Sequence, residues 1–216
     1  MQAYVQYLDI MHIVYRKVIY LKKLLITGFD PFGGETVNPS WEAVRRLPDA
    51  IGEIEITKMQ IPTVFGKAFE RVLKAAGSLQ PDFILSVGQA GGRKGITPEV
   101  VGINLREASI PDNEGNLIQN EPVAKDAPAA YFSTVPVREM VKNMKEAGVP
   151  ASLSYSAGAF VCNDVLYSLL HHFDGTTVCA GFIHIPFLPE QAKENVPSMT
   201  LDSIVLALTK CVEALK

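Results

Sequence analysis

The chain has 216 residues, of which 48% are hydrophobic and 20% are charged, and its formal net charge is −3. This length and composition predict one globular domain with a sizeable core and exclude a disordered or fibrous protein. The weak negative charge and the lack of a clustered lysine and arginine stripe argue against a nucleic acid partner.

Residues 1–22 form an apolar stretch without a settled period, which charged residues interrupt at Asp9, Arg16 and Lys17. The stretch is not a transmembrane span, and it lacks the basic start, apolar centre and cleavage site of a secretory signal. We therefore expect no membrane partner. Three interpretations of this N-terminal extension stay open: an added strand or helix, an oligomerisation arm, or a translation start placed too early.

From Lys23 onward, strand-like and helix-like segments alternate, which is typical of an α/β domain with a mainly parallel sheet. We predict a single domain over residues 23–216. In chain order, the first predicted elements are a strand at Leu24–Ile26, a helix from Pro39 capped by Asn38, a strand at 54–61 and a helix at 65–76 closed by Gly77. Strands at 83–87 and 100–105 follow, and then a helix from Pro136 closed by Gly148. The last elements are a strand at Ser152–Tyr155, a helix after Cys162, a strand at Thr177–Ile185 and a final helix from Leu201 to Leu215.

Two glycine-rich segments, residues 28–34 and 88–92, follow predicted strands, and we expect the second to be loop throughout. Backbone amides of the first segment can cradle a phosphate, but the segment lacks Walker or Rossmann spacing. Its aromatic residues, Phe29 and Phe32, suit a clamp on a flat, uncharged ring. Simple packing of the two rings against the sheet explains them equally well.

The chain has three cysteines, Cys162, Cys179 and Cys211, in a spacing that fits neither a disulfide framework nor a zinc site. We therefore expect a reducing, cytoplasmic setting and no metal. Cys179 lies in a strand-like run and Cys211 on an apolar helix face, so both are expected to be structural.

Cys162 follows a small-residue turn and directly precedes a helical pattern. At a helix N-terminus, unpaired N–H groups and the positive end of the helix dipole favour the thiolate and lower the pKa of the thiol. The same amides can bind a developing oxyanion. This placement indicates a nucleophile, and the alternative is a small buried hydrophobic residue.

A cysteine nucleophile needs a base, and His184 lies at the end of a predicted strand, where parallel sheets form their binding crevice. By contrast, His12 falls in the extension, and His171 and His172 fall at the end of a helix. Glu99 begins an apolar strand, where a carboxylate can orient the imidazole. A core histidine and a solvated carboxylate are the alternatives for His184 and Glu99.

Several longer motifs accompany these residues. They are Gly28–Gly34 with Asn38–Ser40, Gly88–Arg93 with Ile96–Glu99, Ile110–Gly115, Phe160–Asn163 and Gly181–Pro186. In these motifs the chain, from Lys23 nearly to its end, closely resembles the pyroglutamyl-peptidase I family, the cysteine peptidases of family C15.

The resemblance implies a cytoplasmic enzyme with a three-layer α/β/α sandwich, often a homotetramer, that uses no metal or organic cofactor. It implies hydrolysis of the bond after an N-terminal pyroglutamyl residue of peptides, through an acyl-enzyme. The nucleophile, base and orienting acid fall on Cys162, His184 and Glu99. The implied substrate pocket consists of Phe29, Phe32, Asn38, Thr63, Gln89, Ile110, Phe160 and Val161.

The chain departs from the family pattern at two positions. Ser109 stands where the family usually has arginine, and Val100 stands where arginine commonly follows the catalytic glutamate. If the first arginine orders the site or stabilises the oxyanion, then either activity is reduced or another residue, such as Arg93 or Arg106, substitutes for it.

Two other functions remain open from the sequence. A phosphate-binding transferase or phosphorylase with a similar layered fold would use the glycine-rich segments and leave Cys162 incidental. A homologue with weakened catalysis would act as a binding protein.

Overall fold

The computed structural model describes residues 21–216, so the interpretations of residues 1–20 lie outside it. Its strands are β1 (Lys22–Phe29), β2 (Ala50–Ile51), β3 (Ile54–Ile61), β4 (Phe83–Gln89), β5 (Thr97–Pro98), β6 (Val101–Ile103), β7 (Ala130–Phe132) and β8 (Cys179–Ile185). Six of them form the central sheet in the order β2-β3-β1-β4-β8-β5, and β6 pairs with β7. The four inner strands are parallel, and the edge strands β2 and β5 are antiparallel to their neighbours.

Helices cover both faces of this sheet. They are α1 (Pro39–Val44), α2 (Lys67–Leu79), α3 (Val137–Glu146), α4 (Val161–His172) and α5 (Leu201–Val212). The apolar faces of α1, α3 and α5 share one core cluster with the sheet, and those of α2 and α4 share another. The predicted α/β fold with its mainly parallel, mixed sheet in three layers is confirmed.

The residues of β1 explain why the sheet is covered on both faces. Leu24 and Ile26 belong to the core cluster of α1, while Leu25 belongs to that of α2 and α4. Successive strand residues point to opposite faces, so a continuous apolar run requires two helix layers. All three side chains are fully buried, and each contributes about 2 kcal/mol.

The start of α1 follows the predicted capping pattern. The Asn38 side chain accepts a hydrogen bond from the Ser40 amide at 3.1 Å, and Pro39 occupies the first turn. The Ser40 hydroxyl oxygen accepts from the Phe29 amide at 2.9 Å, which joins this helix start to the end of β1. The cap therefore fixes the glycine-rich segment that follows β1.

Three local predictions are wrong. Gly77 does not end α2, which continues to Leu79 and closes at Gln80, whose φ of 51° is left-handed. Residues 88 and 89 are not loop, because both extend β4 in parallel register with β8. Residues 152–155 form no strand, since the segment makes only isolated bridges at Ala151 and Ser154.

The first strand, β1, begins at Lys22. Within residues 21–216, no helix combines the length and the hydrophobicity that a membrane crossing requires.

Candidate active site

A cavity of about 430 Å³ opens where β1, β4 and β8 end. Its wall includes eight of the predicted catalytic and substrate-binding residues: Phe29, Phe32, Asn38, Thr63, Gln89, Phe160, Cys162 and His184. The cavity wall does not include Ile110, whose side chain is 45% exposed, or Val161, which is fully buried in the core. Glu99 lies behind His184 rather than on the wall.

The thiol of Cys162 enters this cavity from the first turn of α4. It lies against Gly88, where an added Cβ would be 3.0 Å from Sγ and 2.7 Å from the Phe182 ring. Gly88 is also the register partner of His184. Paired residues of parallel strands share a face, so the sulfur and the His184 side chain lie on the same side of the sheet. Glycine at position 88 makes this approach of sulfur to the strand possible.

Burial dominates the acidity of this thiol. Desolvation and the nearby Glu99 carboxylate raise the pKa of Cys162 to about 12, although the Arg93 cation and the residue's own N–H act in the opposite direction. The N–H at the helix start therefore lowers this pKa as expected, but burial outweighs its effect and the net shift is upward. The cysteine is a neutral thiol near neutral pH and needs a base at the moment of attack.

His184 is held by Glu99. The Nδ1 atom of His184 lies 2.7 Å from Oε1 of Glu99, and the two residues are 3% and 0% exposed. A carboxylate only accepts hydrogen bonds, so Nδ1 carries the proton and Nε2 is the basic nitrogen. Burial lowers the pKa of His184, against the opposing effect of Glu99, so the imidazole is neutral near pH 7.

Arg93 contacts the same carboxylate. Its Nη2 atom lies 3.0 Å from Oε1 of Glu99 and donates to the Ser156 carbonyl at 3.2 Å, while Nη1 donates to the Thr97 hydroxyl at 2.5 Å. The sequence pointed to Arg93 only as a substitute for a missing arginine. Its position at the end of the Gly88–Arg93 motif was the sequence feature that could have indicated a role in the site.

Arg106, the other suggested substitute, lies elsewhere. It pairs with the buried Asp164 of α4 at 2.6 Å and does not line the cavity. Ser109 is exposed and does not line the cavity either. Of these residues, Arg93 is therefore the one that supplies a positive charge near the thiol and the imidazole.

Part of the cavity wall is aromatic. The Phe160 ring centroid lies 6.4 Å from that of Phe32 and 5.2 Å from that of Phe65, which meets it edge-on. Within residues 21–216, Oε1 of Gln89 is buried without a hydrogen-bond partner. A buried acceptor of this kind needs a donor, so the cavity suits a flat, uncharged ring that carries an N–H group.

Asp30, a residue not predicted from the sequence, anchors the walls of this pocket. Its Oδ1 atom accepts from the amide and hydroxyl of Thr63, both at 2.7 Å, and from the Asn113 amide group at 3.1 Å. Its backbone oxygen accepts from the Asn38 amide group at 2.9 Å. The Ile110–Gly115 motif thus acts by fixing the pocket from outside.

The remaining cysteines lie away from the cavity, since Cys179 begins β8 and Cys211 is buried in α5. Among residues 21–216, no group of three or more histidine, cysteine or acidic side chains is arranged to hold a metal ion.

Comparison with known proteins gives a consistent result. The family model described as pyroglutamyl peptidase matches residues 22–216. The pyrrolidone-carboxylate peptidase of Enterococcus faecalis is 49% identical over 196 residues, covering 89% of this chain and 92% of the relative. The Bacillus subtilis enzyme of the same name is 52% identical over 191 residues, covering 87% and 89%.

Solved structures agree. The crystal structure of Bacillus amyloliquefaciens pyroglutamyl peptidase I superposes with a TM-score of 0.87 at 49% identity, covering 90% of this chain and 96% of that one. A mutant pyrrolidone carboxyl peptidase from Pyrococcus furiosus gives 0.85 at 40% identity, covering 89% and 97%. The family model spans nearly the whole chain, and both the sequence and the fold match. The chain belongs to the pyroglutamyl peptidase family.

Proposed function

We propose that this chain hydrolyses the peptide bond after an N-terminal pyroglutamyl residue, with Cys162 as nucleophile, His184 as general base and Glu99 as its orienting acid. The observation that carries the proposal is one cavity that holds a thiol, an imidazole and an aromatic pocket, with a carboxylate behind the imidazole. Within the described residues, no aspartate or glutamate lines this cavity. A pocket for an ordinary N-terminal amine would need such a carboxylate.

Substrate recognition follows from the same surfaces. The pyroglutamyl ring packs against Phe32 and Phe160, and its lactam N–H donates to the buried Oε1 of Gln89. Asn38 and Thr63 act mainly on the walls, because their side chains are already bonded to Ser40 and Asp30. Ile110 and Val161 support the pocket from outside its surface.

The reaction proceeds in two stages. His184 Nε2 takes the thiol proton while Cys162 Sγ attacks the carbonyl carbon, and amides at the start of α4 hold the oxyanion. Collapse of this intermediate breaks the peptide bond, and the leaving amine takes the proton from Nε2. Water, deprotonated by Nε2, then attacks the thioester, which releases pyroglutamate and restores the thiol.

A matched pair of substrates tests the function. We expect kcat/KM for L-pyroglutamyl aminomethylcoumarin to exceed that for the L-prolyl compound by ~10,000-fold, because the proline amine is charged and lacks the lactam group. Fluorescence release under reducing conditions measures both rates. Equal rates, or no release from the pyroglutamyl compound, would contradict the proposal, and the transferase alternative predicts no release.

The pH dependence tests the protonation states. The reactive form has neutral imidazole and neutral thiol. Since burial lowers the pKa of His184 from 6.5, kcat/KM should fall only as pH drops below 6.5. Since the pKa of Cys162 is raised to about 12, no alkaline loss from the thiol should occur up to pH ~9. A preformed thiolate–imidazolium pair would instead give a bell-shaped profile that declines as the imidazolium loses its proton.

Three further properties complete the proposal. The catalytic domain comprises residues 23–216, and the family match over 22–216 supports this assignment. Free cysteines support a cytoplasmic location, and the family resemblance supports a homotetramer. Light scattering coupled to gel filtration measures the oligomeric state directly.

A further inference from the structure

We propose that Arg93 is a positioning residue of this active site: its guanidinium holds the Glu99 carboxylate and the segment preceding Cys162 in one arrangement. The inference rests on the proposed peptidase function. The family motif Gly88–Arg93 includes this residue without giving it a role, and the predicted catalytic set does not contain it.

The contacts of Arg93 join its own loop to two other segments, one with Thr97 and Glu99 and one with Ser156. One nitrogen bonds Thr97 of β5, and the other bridges the Glu99 carboxylate and the Ser156 carbonyl. The Ser156 segment leads directly into α4, whose first turn carries Cys162. A planar guanidinium can hold several acceptors in a fixed geometry, so Arg93 sets the base and the nucleophile relative to each other.

Charge gives a second argument. Glu99 is fully buried, and its Oε1 atom receives both the His184 ring nitrogen and the Arg93 guanidinium. Within residues 21–216, the other carboxylate oxygen, Oε2, has no hydrogen-bond partner. A buried carboxylate next to a neutral imidazole carries an uncompensated charge unless a cation is present. Arg93 supplies that cation and is itself partly exposed at the cavity wall.

Three titratable or charged groups face the His184 ring and influence its protonation. They are Glu99 behind the ring, Cys162 on α4, and Arg93 on the loop after β4. Burial lowers the pKa of His184 most, Glu99 raises it, and the Arg93 cation lowers it further. Removing the cation should therefore raise the pH at which the imidazole becomes protonated, and the acid limb of activity should move upward.

The test compares Arg93→Gln and Arg93→Lys with the parent enzyme. Lys94→Gln is the matched control, since it removes the same charge from the adjacent, exposed position. We expect Arg93→Gln to reduce kcat by ~10- to 100-fold, the loss typical of a charged hydrogen bond. Its acid limb in kcat/KM should rise by about one pH unit. Arg93→Lys should recover part of kcat and keep the parent's acid limb, and Lys94→Gln should match the parent in both.

An acid limb that stays in place in Arg93→Gln, or that moves equally in Lys94→Gln, overturns the proposal. Circular dichroism establishes whether each variant is folded. If Arg93→Gln fails to fold, Arg93→Lys provides the test instead. Its kcat should be several-fold below that of the parent, and its acid limb should stay in place. A kcat equal to that of the parent overturns the proposal. A parent enzyme that releases no coumarin would instead refute the proposed function itself.

Discussion

Replacing Cys162 with alanine should reduce kcat for the pyroglutamyl substrate by ~1,000,000-fold, as expected when a nucleophile is removed. Without Sγ, no thioester can form, and His184 has no proton to take. The fold should survive, because the lost sulfur lies at the cavity wall against Gly88 rather than deep in a core cluster. We expect a stability change of no more than about 2 kcal/mol.

Cys179→Ala is the matched control for this variant. It removes another partly buried thiol of the same chain, one that begins β8 and does not line the cavity. Its kcat should equal that of the parent. Fluorescence release from the pyroglutamyl substrate under reducing conditions measures kcat for both variants. More than about 1% residual activity in that variant would rule out Cys162 as the nucleophile.

The Glu99→Gln variant should lose ~1,000- to 10,000-fold in kcat with little change in KM, a loss of the size seen when the orienting acid of a catalytic triad becomes an amide. The glutamine amide can donate to Nδ1 of His184, which moves the ring proton to Nε2 and removes the base. The imidazolium that forms during attack also loses its stabilising charge. In addition, the change leaves Arg93 without its carboxylate partner.

Steady-state kinetics on the pyroglutamyl substrate measures this loss, and Glu55→Gln provides the control. Glu55 is an exposed residue of β3, so the same chemical change there should leave kcat unaltered. A Glu99→Gln enzyme within tenfold of the parent would show that Glu99 does not orient the base. Thermal unfolding separates that result from a loss of folded protein.

Hydrophobic runs explain how much of the fold was predictable. β1, β4 and β8 contain short apolar runs, and α5 has an amphipathic pattern. The type and order of these elements therefore follow from the sequence. Gly88 was wrongly predicted as loop because glycine is required there by tertiary packing and not by a turn. Cys162 and Phe182 occupy the space beside it. Local glycine content cannot reveal a neighbour that is distant in sequence.

The sequence also predicted some of the chemistry of the site, namely the pairing of His184 with Glu99, but not the effects that depend on tertiary contacts. His184 and Glu99 stand at strand ends, where polar residues interrupt apolar sequence, and the structure brings their side chains into contact. The raised pKa of Cys162 depends on burial by several segments, which overrides the local effect of the helix N-terminus. The contacts of Arg93 with Ser156 and Glu99 likewise require the folded loops.

Because of the contacts of Asp30, the substrate pocket assembles late in synthesis and folding of the chain. Its side chain joins partners 33 and 83 positions away, so the pocket cannot close until residues near Asn113 have been synthesised and have folded. The nucleophile and the base come later still, at positions 162 and 184. The pocket also needs Phe160, so neither the ring-binding wall nor the catalytic pair is complete until most of the chain has been synthesised. Chains that terminate before position 184 lack the base.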